Sequence, residues 1–488
     1  MRYTMHKGEE MSVEQKTESL KQMLSNSQDI TTRLFICKNK TKCGLVFIDN
    51  AIDKLLLSSS VIEPLQKFEW SDNLENDLWL IQQNIIAFTS VKTVKTIDDT
   101  LDDILNGFCA VIFEDCQTIL MVECAKWVTR LPSEPPTSAV IHGPREGFVE
   151  DVTTNISLVR KRLKTKELKI EQLIIGRETK TEVRVCYLNN IVKHEIVDKI
   201  IEKLKKINID GIIDSSYLAS FLGDNTGSMF KQVGTAEKPD IVVAKMLEGR
   251  VAIIVDGSPF VLTLPYLYIE DLQSSNDYYM SPAHATFMRI IRCIGLLGSI
   301  LLPGLYVALL VYHYEIIPIK LLITITNSIQ GIPLPPFIEI LFITLMFECL
   351  YEASLRMPRY IGLALSIVGA IILGDTAVKA GLISSPGVLV VAVAGMLSYT
   401  VPDQSAQISI LRVVFTIIGG IFGLLGLILG GMTLIAYLAS MTSYDTPYLA
   451  PMSPFIIPDQ KDAIIKRSLN QQKMRPKSIP NSNARRQN

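Results

Sequence analysis

Glu339, Glu348 and Glu352 stand inside PFIEILFITLMFECLYEASLRMP (336–358), a run otherwise apolar enough for a helix in a membrane. A carboxylate facing hydrocarbon is costly, so each must meet another helix or a water-filled space. Glu348 and Glu352 are four apart and share a helix face, whereas Glu339 falls roughly 180° around the helix from Glu348. Two uses fit this pattern: helix–helix hydrogen bonding within the subunit, or the lining of a path for cations or protons. Nothing points to bond-making chemistry. The eight cysteines include no CxxC pair, and with five histidines in the whole chain a clustered zinc site is not expected. Gly143-Pro144-Arg145-Glu146-Gly147 lacks the spacing and the Lys-Ser/Thr of a phosphate loop. A formal net charge of -1 argues against a general nucleic-acid binder. No catalytic, cofactor or metal site is expected.

The elements that carry the glutamates come from a chain of two materials. Nearly all the charge of the 488 residues lies before Arg292 or after Asp459. This predicts a water-soluble part of roughly 270 residues and a lipid-adapted part of roughly 160. FMRIIRCIGLLGSILLPGLYVALLVY (287–312) is the clearest span. Its Arg289 and Arg292 are expected to reach back to headgroups and mark a cytoplasmic end, and Pro303-Gly304 to kink it. The stretch 316–336, with Lys320 and Asn327, reads as an interfacial helix followed by a turn. Arg356 and Arg359 mark a second cytoplasmic boundary. Apolar pieces at 360–374 and 382–399, rich in Gly, Ala and Ser, flank the hinge 375–381 and predict a packed, broken or re-entrant hairpin. Asp375 and Lys379, four apart, can neutralise one another. Val413 to Tyr444 carries no charge and as one helix would measure about 48 Å against a hydrocarbon core of about 30 Å, so a break is expected, at Gly430-Gly431. The basic tail, 459–488, is placed in the cytoplasm. Four full crossings and one broken segment over 285–445 satisfy these constraints.

Ahead of the spans, residues 1–30 read as a frayed helix or a flexible polar leader without a signal-peptide core. Two α/β lobes follow, 31–132 and 145–270, joined by a linker holding Pro132, Pro135, Pro136 and Pro144. Hairpins are predicted at 34–49 and 107–123, a strand at 184–191, and strands over 251–264 turning at Asp256-Gly257. Helices are predicted at 155–173 and at 194–207, the latter with Ile196, Ile200, Ile201 and Leu204 on one side. The basic run 160–166 reads as a solvated or inter-subunit face, or as a contact for anionic lipid. Glu171 and Arg177 are close enough to pair. The fold class is therefore a two-lobed α/β soluble N-terminal domain followed by an all-α polytopic membrane domain.

Several motifs resemble one family. Gly143-Pro144-Arg145-Glu146-Gly147-Phe148, then Asn155 and Arg160-Lys161-Arg162-Leu163, are similar to the A subunits of bacterial spore germination receptors. So are Glu248-Gly249-Arg250-Val251-Ala252-Ile253-Ile254-Val255-Asp256-Gly257-Ser258-Pro259, and Pro336, Glu339, Glu348, Glu352-Ala353, Arg356, Pro358 and Ile361-Gly362 through Gly369, Gly374 and Ala377. The likeness runs from about residue 40 to about 465 and departs from regular members at His142 and in the extended basic C-terminus. The resemblance implies a multi-pass protein of the spore inner membrane, with its N-terminal domain and tail on the core side. It implies a transporter-like B subunit and a lipoprotein C subunit as partners, and self-assembly around a nutrient-gated pore for monovalent cations. The pore-lining region would match Ser366, Ile367, Val368 and Ala370, with Glu339, Glu348 and Glu352 tuning selectivity or gating. Arg145, Glu146, Asn155, Arg160 and Arg162 would be signalling or interface residues. A non-conducting scaffold or transducer is the alternative.

Overall fold

The computed structural model describes residues 12–38, 41–70, 74–86, 88, 90–114, 116–125, 142–225, 227–356 and 372–487. These divide into two compact units. One draws on Met1–Thr226, Gln232–Tyr266 and Lys473–Asn488, the other on Gly227–Lys231 and Leu267–Gln472.

The first unit holds two five-stranded antiparallel sheets. β1 (Ile30–Ile36), β2 (Lys42–Ile48), β3 (Val91–Val94), β4 (Phe108–Phe113) and β5 (Ile119–Glu123) lie in the order β1-β2-β4-β5-β3. β6 (Leu168–Ile175), β7 (Thr181–Leu188), β8 (Gly234–Ala236), β9 (Val251–Val255) and β10 (Val261–Leu264) lie in the order β6-β7-β9-β10-β8. Renumbered within each lobe, the two orders are identical. Each lobe opens with a helix, Val13–Met23 or Val152–Arg162. Local sequence follows the repeat: Ile48-Asp49-Asn50-Ala51-Ile52 matches Leu188-Asn189-Asn190-Ile191-Val192, and Leu105-Asn106-Gly107 matches Leu247-Glu248-Gly249. Both of these glycines have positive φ, +94° and +109°, a conformation that glycine adopts without steric cost.

Two expectations for this unit change. The polar leader becomes an ordered helix from Val13, because Val13, Thr17 and Leu20 recur at helical spacing and bury against the first sheet. Its start is fixed by a capping box between Ser12 and Gln15. The helix predicted at 155–173 stops at Arg162, and 168–175 is β6, where Leu168 and Ile170 are buried on alternate positions.

The second unit is helical. Its main helices are Pro282–Tyr312, Ile319–Ile329, Pro336–Arg356, Ser385–Ser398 and Ser405–Ser440. Among the described residues, two helical stretches, Pro282–Tyr312 and Pro402–Ser440, are long and apolar enough to cross a membrane. The long last helix is broken, but at Gly423 (φ 62°, ψ -150°) rather than at Gly430-Gly431. The Tyr312 ring packs on Gly423, and its hydroxyl reaches the carbonyl oxygens of Gly420 (3.0 Å) and Ile421 (2.9 Å), groups that a break releases.

Candidate functional site: charged groups between the helices

The first and last long helices approach closely because neither has a side chain at the crossing. A Cβ on Gly304 would lie 2.4 Å from the Phe415 carbonyl oxygen, and one on Gly419 2.4 Å from that of Gly304. Pro303, beside this crossing, has no N–H to give to the carbonyl of Ser299 one turn earlier. Arg412 of the last helix fills that vacancy: its Nε donates to the Ser299 oxygen at 3.1 Å. The Arg412 side chain is 2% exposed, its guanidinium lies 5.9 Å from the Phe347 ring centroid, and its Nη1 stands 3.3 Å from Glu348 Oε1. The other Glu348 oxygen accepts from Ser409 Oγ at 2.8 Å. A proline, an arginine and a glutamate thus join three helices.

The three glutamates do not converge. Glu339, buried, accepts from the Ser384 backbone N–H at 2.6 Å, while Ser384 Oγ accepts from Gly387 N–H at 3.1 Å. The carboxylate therefore sits at the N-terminus of the Ser385–Ser398 helix, where the helix dipole favours negative charge. Glu352 stays exposed and pairs with Arg356 at 2.6 Å. Asp375 and Lys379 pair at 2.7 Å. Ser366, Ile367, Val368 and Ala370 lie outside the described residues.

The base of the first helix is built differently from the expectation. Arg289 and Arg292 do not reach outward. Arg289 is fully buried and donates to Asp277 Oδ2 (3.1 Å), Asp462 Oδ1 (3.0 Å) and the carbonyl of Ala463 (2.6 Å). Arg292 grips Asp277 in a bidentate pair at 2.7 and 2.9 Å. Lys466 donates to the Asp277 carbonyl and lies 4.8 Å from the Tyr278 ring centroid. Burial pushes the Asp277 carboxyl up, but Arg292, the Ser274 N–H and Arg289 together hold it below its ordinary range. At Asp462 burial wins over Arg289 and the value is raised; burial also lowers Lys466. The segment after the last helix is therefore part of the helical unit as far as Gln472.

In the α/β unit, the motif residues have separate structural duties. Asn155 is buried, accepting from Val149 N–H (2.8 Å) and donating to Val149 C=O (2.6 Å), which pins the preceding loop. Glu146 pairs with Arg162 at 2.8 Å and Lys161 at 3.6 Å, and Arg145 is exposed. Arg160 is not on a solvated face. It is 2% exposed and grips Asp29 of the other lobe at 2.8 and 2.9 Å, with further bonds to Ser27 Oγ and the Leu168 carbonyl. Glu171 accepts from Tyr187 and pairs with Lys169, while Arg177 pairs with Asp210, so Glu171 and Arg177 do not meet. Sequence reasoning missed Asp29, Asp277, Asp462 and Arg412. Only Arg412 carried a signal, as the charge at the edge of an apolar block. Among the described residues no group of three or more His, Cys, Asp or Glu gathers to hold a metal.

These features define a class: a protein of repeated α/β lobes and apolar helices tied by interior ion pairs, associated with a membrane. Comparison with known proteins makes the class specific. The chain belongs to the family described as Bacillus/Clostridium GerA spore germination protein, which matches residues 18–478. It is 33% identical to spore germination protein KA of Bacillus subtilis, over 95% of this chain and 85% of that protein. It is 34% identical to spore germination protein GerQA of Bacillus cereus, over 94% of this chain and 91% of that protein. The crystal structure of the N-terminal domain of the A subunit of the Bacillus megaterium spore germinant receptor GerK3 is also similar, at 28% identity and a TM-score of 0.41. That match covers 54% of this chain and 99% of that one. Family membership supports a role in spore germination sensing.

Proposed function

We propose that this chain is the A subunit of a nutrient-sensing germination receptor and oligomerises into a nutrient-gated release channel for monovalent cations. It works in the spore inner membrane as a multi-pass protein, with its N-terminal unit and C-terminus on the core side. A transporter-like B subunit and a lipoprotein C subunit are its partners. The observation that carries the reading is the interior charge of the helical unit, Arg412 with Glu348 and the buried Glu339. A simple anchor has no use for charges that are costly in lipid, and such groups mark ion paths or moving parts. Ser366, Ile367, Val368 and Ala370 are the proposed pore lining, with Glu339, Glu348 and Glu352 as gating or selectivity residues. Arg145 is the proposed interface residue, while Glu146, Asn155, Arg160 and Arg162 relay signals by fixing the lobes.

One observation favours a second reading, a non-conducting scaffold or transducer. Each of the three glutamates has a protein partner, which packing alone explains. Monovalent-cation flux through the chain reconstituted in liposomes, with and without the partner subunits and nutrient, decides between them. Flux that Val368→Trp abolishes while assembly persists supports the channel. Silence of the complete receptor with nutrient present overturns it in favour of the scaffold.

A further inference from the structure

The end of the first hairpin holds two free thiols, with no disulfide between them. Cys37 follows β1, and its N–H donates to the Thr41 carbonyl at 2.9 Å, closing the hairpin end. Cys43 stands on β2 opposite Phe35. The two side chains meet diagonally on the inner face of the sheet, with Sγ atoms 3.2 Å apart, in the core that also contains Trp70 and Phe113. The corresponding tip of the second lobe, from Ile175 to Thr181, has no cysteine, so the fold does not require a thiol pair there.

We infer that Cys37 and Cys43 are a redox modification site, at which peroxide converts the two thiols to a reversible intramolecular disulfide. The geometry needs little change. Closing the sulfurs from 3.2 Å to a bond of about 2.05 Å moves them together by roughly 1 Å, and the diagonal of an antiparallel pair accommodates it. The roles are also distinguishable. The hydrogen bond between the two sulfurs lowers the Cys37 thiol against the effect of burial, while the same bond and burial raise Cys43. By contrast, burial and then the neighbouring Cys124 raise Cys109, and burial pushes Cys124 and Cys186 up to about 12.

The step balances. The Cys37 thiolate attacks peroxide, an S–O bond forms as O–O breaks, and hydroxide leaves, giving a sulfenic acid. The Cys43 sulfur then displaces that hydroxyl, an S–S bond forms as S–O breaks, and the thiol proton leaves with the hydroxyl as water. Burial of both thiols limits the access of peroxide, so the reaction is slower than at the exposed Cys349 yet ends in a different product.

The test treats the full-length protein in detergent with hydrogen peroxide and maps peptides without reduction. Lys38, Lys40 and Lys42 lie between the two cysteines, so trypsin separates them and only a disulfide keeps their peptides joined. The joined species is expected to accumulate and to disappear with a thiol reductant. In Cys43→Ser the reaction is expected to stop at the Cys37 sulfenic acid, which a 1,3-diketone traps, and Cys37→Ser is expected to leave Cys43 unmodified. Near-ultraviolet circular dichroism of each variant checks that it is folded. Oxidation of Cys349 with Cys37 and Cys43 left as free thiols overturns the inference, as does irreversible oxidation of Cys37 without a joined peptide in the parent protein.

Discussion

Replacing Arg412 with leucine tests the three-helix junction directly. The change removes the positive charge that pairs with Glu348 and the Nε donor that serves the Ser299 carbonyl. Breaking a buried ion pair from one side costs about 3–5 kcal/mol, chiefly through the charge left behind. Glu348 retains Ser409 and about a fifth of its side-chain surface, so the lower half of that range is expected. The companion variant Glu348→Leu/Arg412→Leu leaves no stranded charge, only an undersupplied carbonyl, at about 1–3 kcal/mol. The double variant should therefore be more stable than Arg412→Leu, by roughly 1–2 kcal/mol. Unfolding of the full-length protein by dodecyl sulfate in mixed micelles, followed by far-ultraviolet circular dichroism, orders the three proteins. If Arg412→Leu and the double variant unfold together, the stranded Glu348 carries no penalty and the reasoning from the buried charge fails.

Two further outcomes follow from the other ion pairs. Asp29→Ala strands the buried Arg160 guanidinium, and hydrogen exchange at the Ile170 amide, which donates to Ser27 Oγ at 3.0 Å, should accelerate by about 100-fold or more while the β4–β5 amides keep their protection. A uniform rise across both sheets would instead mean global weakening. At the base of the first helix, Asp277 titrates below its unfolded value of about 3.9, so the unfolded chain binds more protons and stability is lost as pH falls through the folded value, below about pH 4. The raised Asp462 acts in the opposite sense, contributing below about pH 4 and losing that contribution as pH rises through its folded value. In an Asp462→Asn background, Asp277→Asn should therefore lower the melting temperature near neutrality and flatten its fall below pH 4. An unchanged acid slope would remove Asp277 from the anchor.

What the sequence disclosed divides along a physical line. Patterns that depend on neighbours were legible: the hairpin from Leu34 to Asp49, the amphipathic helix from His194 and the turn at Asp256-Gly257 each follow from local spacing. The sequence also identified the interior glutamates, because a carboxylate in an apolar run is anomalous by itself. Their partners were not legible. Arg160 looks solvated within Arg160-Lys161-Arg162 because Asp29 lies far away in sequence and only folding unites them. Arg289 likewise reads as a headgroup anchor until Asp277 and Asp462 arrive from both sides of the helical region. The break at Gly423 instead of Gly430-Gly431 was set by Tyr312, which supplies a hydroxyl to the freed carbonyls at one glycine and not at the others.

The lobe repeat gives the basic C-terminus a purpose. In the first lobe, Ile52 forms a bridge with Ala125, just beyond β5, and Ala125 fills the space beside the positive-φ Gly107. The corresponding residues of the second lobe are Val192 and Gly249, but the chain there leaves for the helical unit soon after β10. Its own continuation is no longer at hand to complete the lobe. Asn481 takes the place of Ala125: it bridges Val192, and its Cβ lies 3.0 Å from where a side chain on Gly249 would begin. Ser482 adds backbone and side-chain bonds to Ile191 and Val192, and Arg475 donates to the Leu247 carbonyl. The last residues thus supply a piece of the second lobe that the first lobe draws from its own next residues. The lobe is completed only after the helical segment has been made, which makes the C-terminus an integral element of the α/β fold and explains how a segment so rich in charge can be ordered.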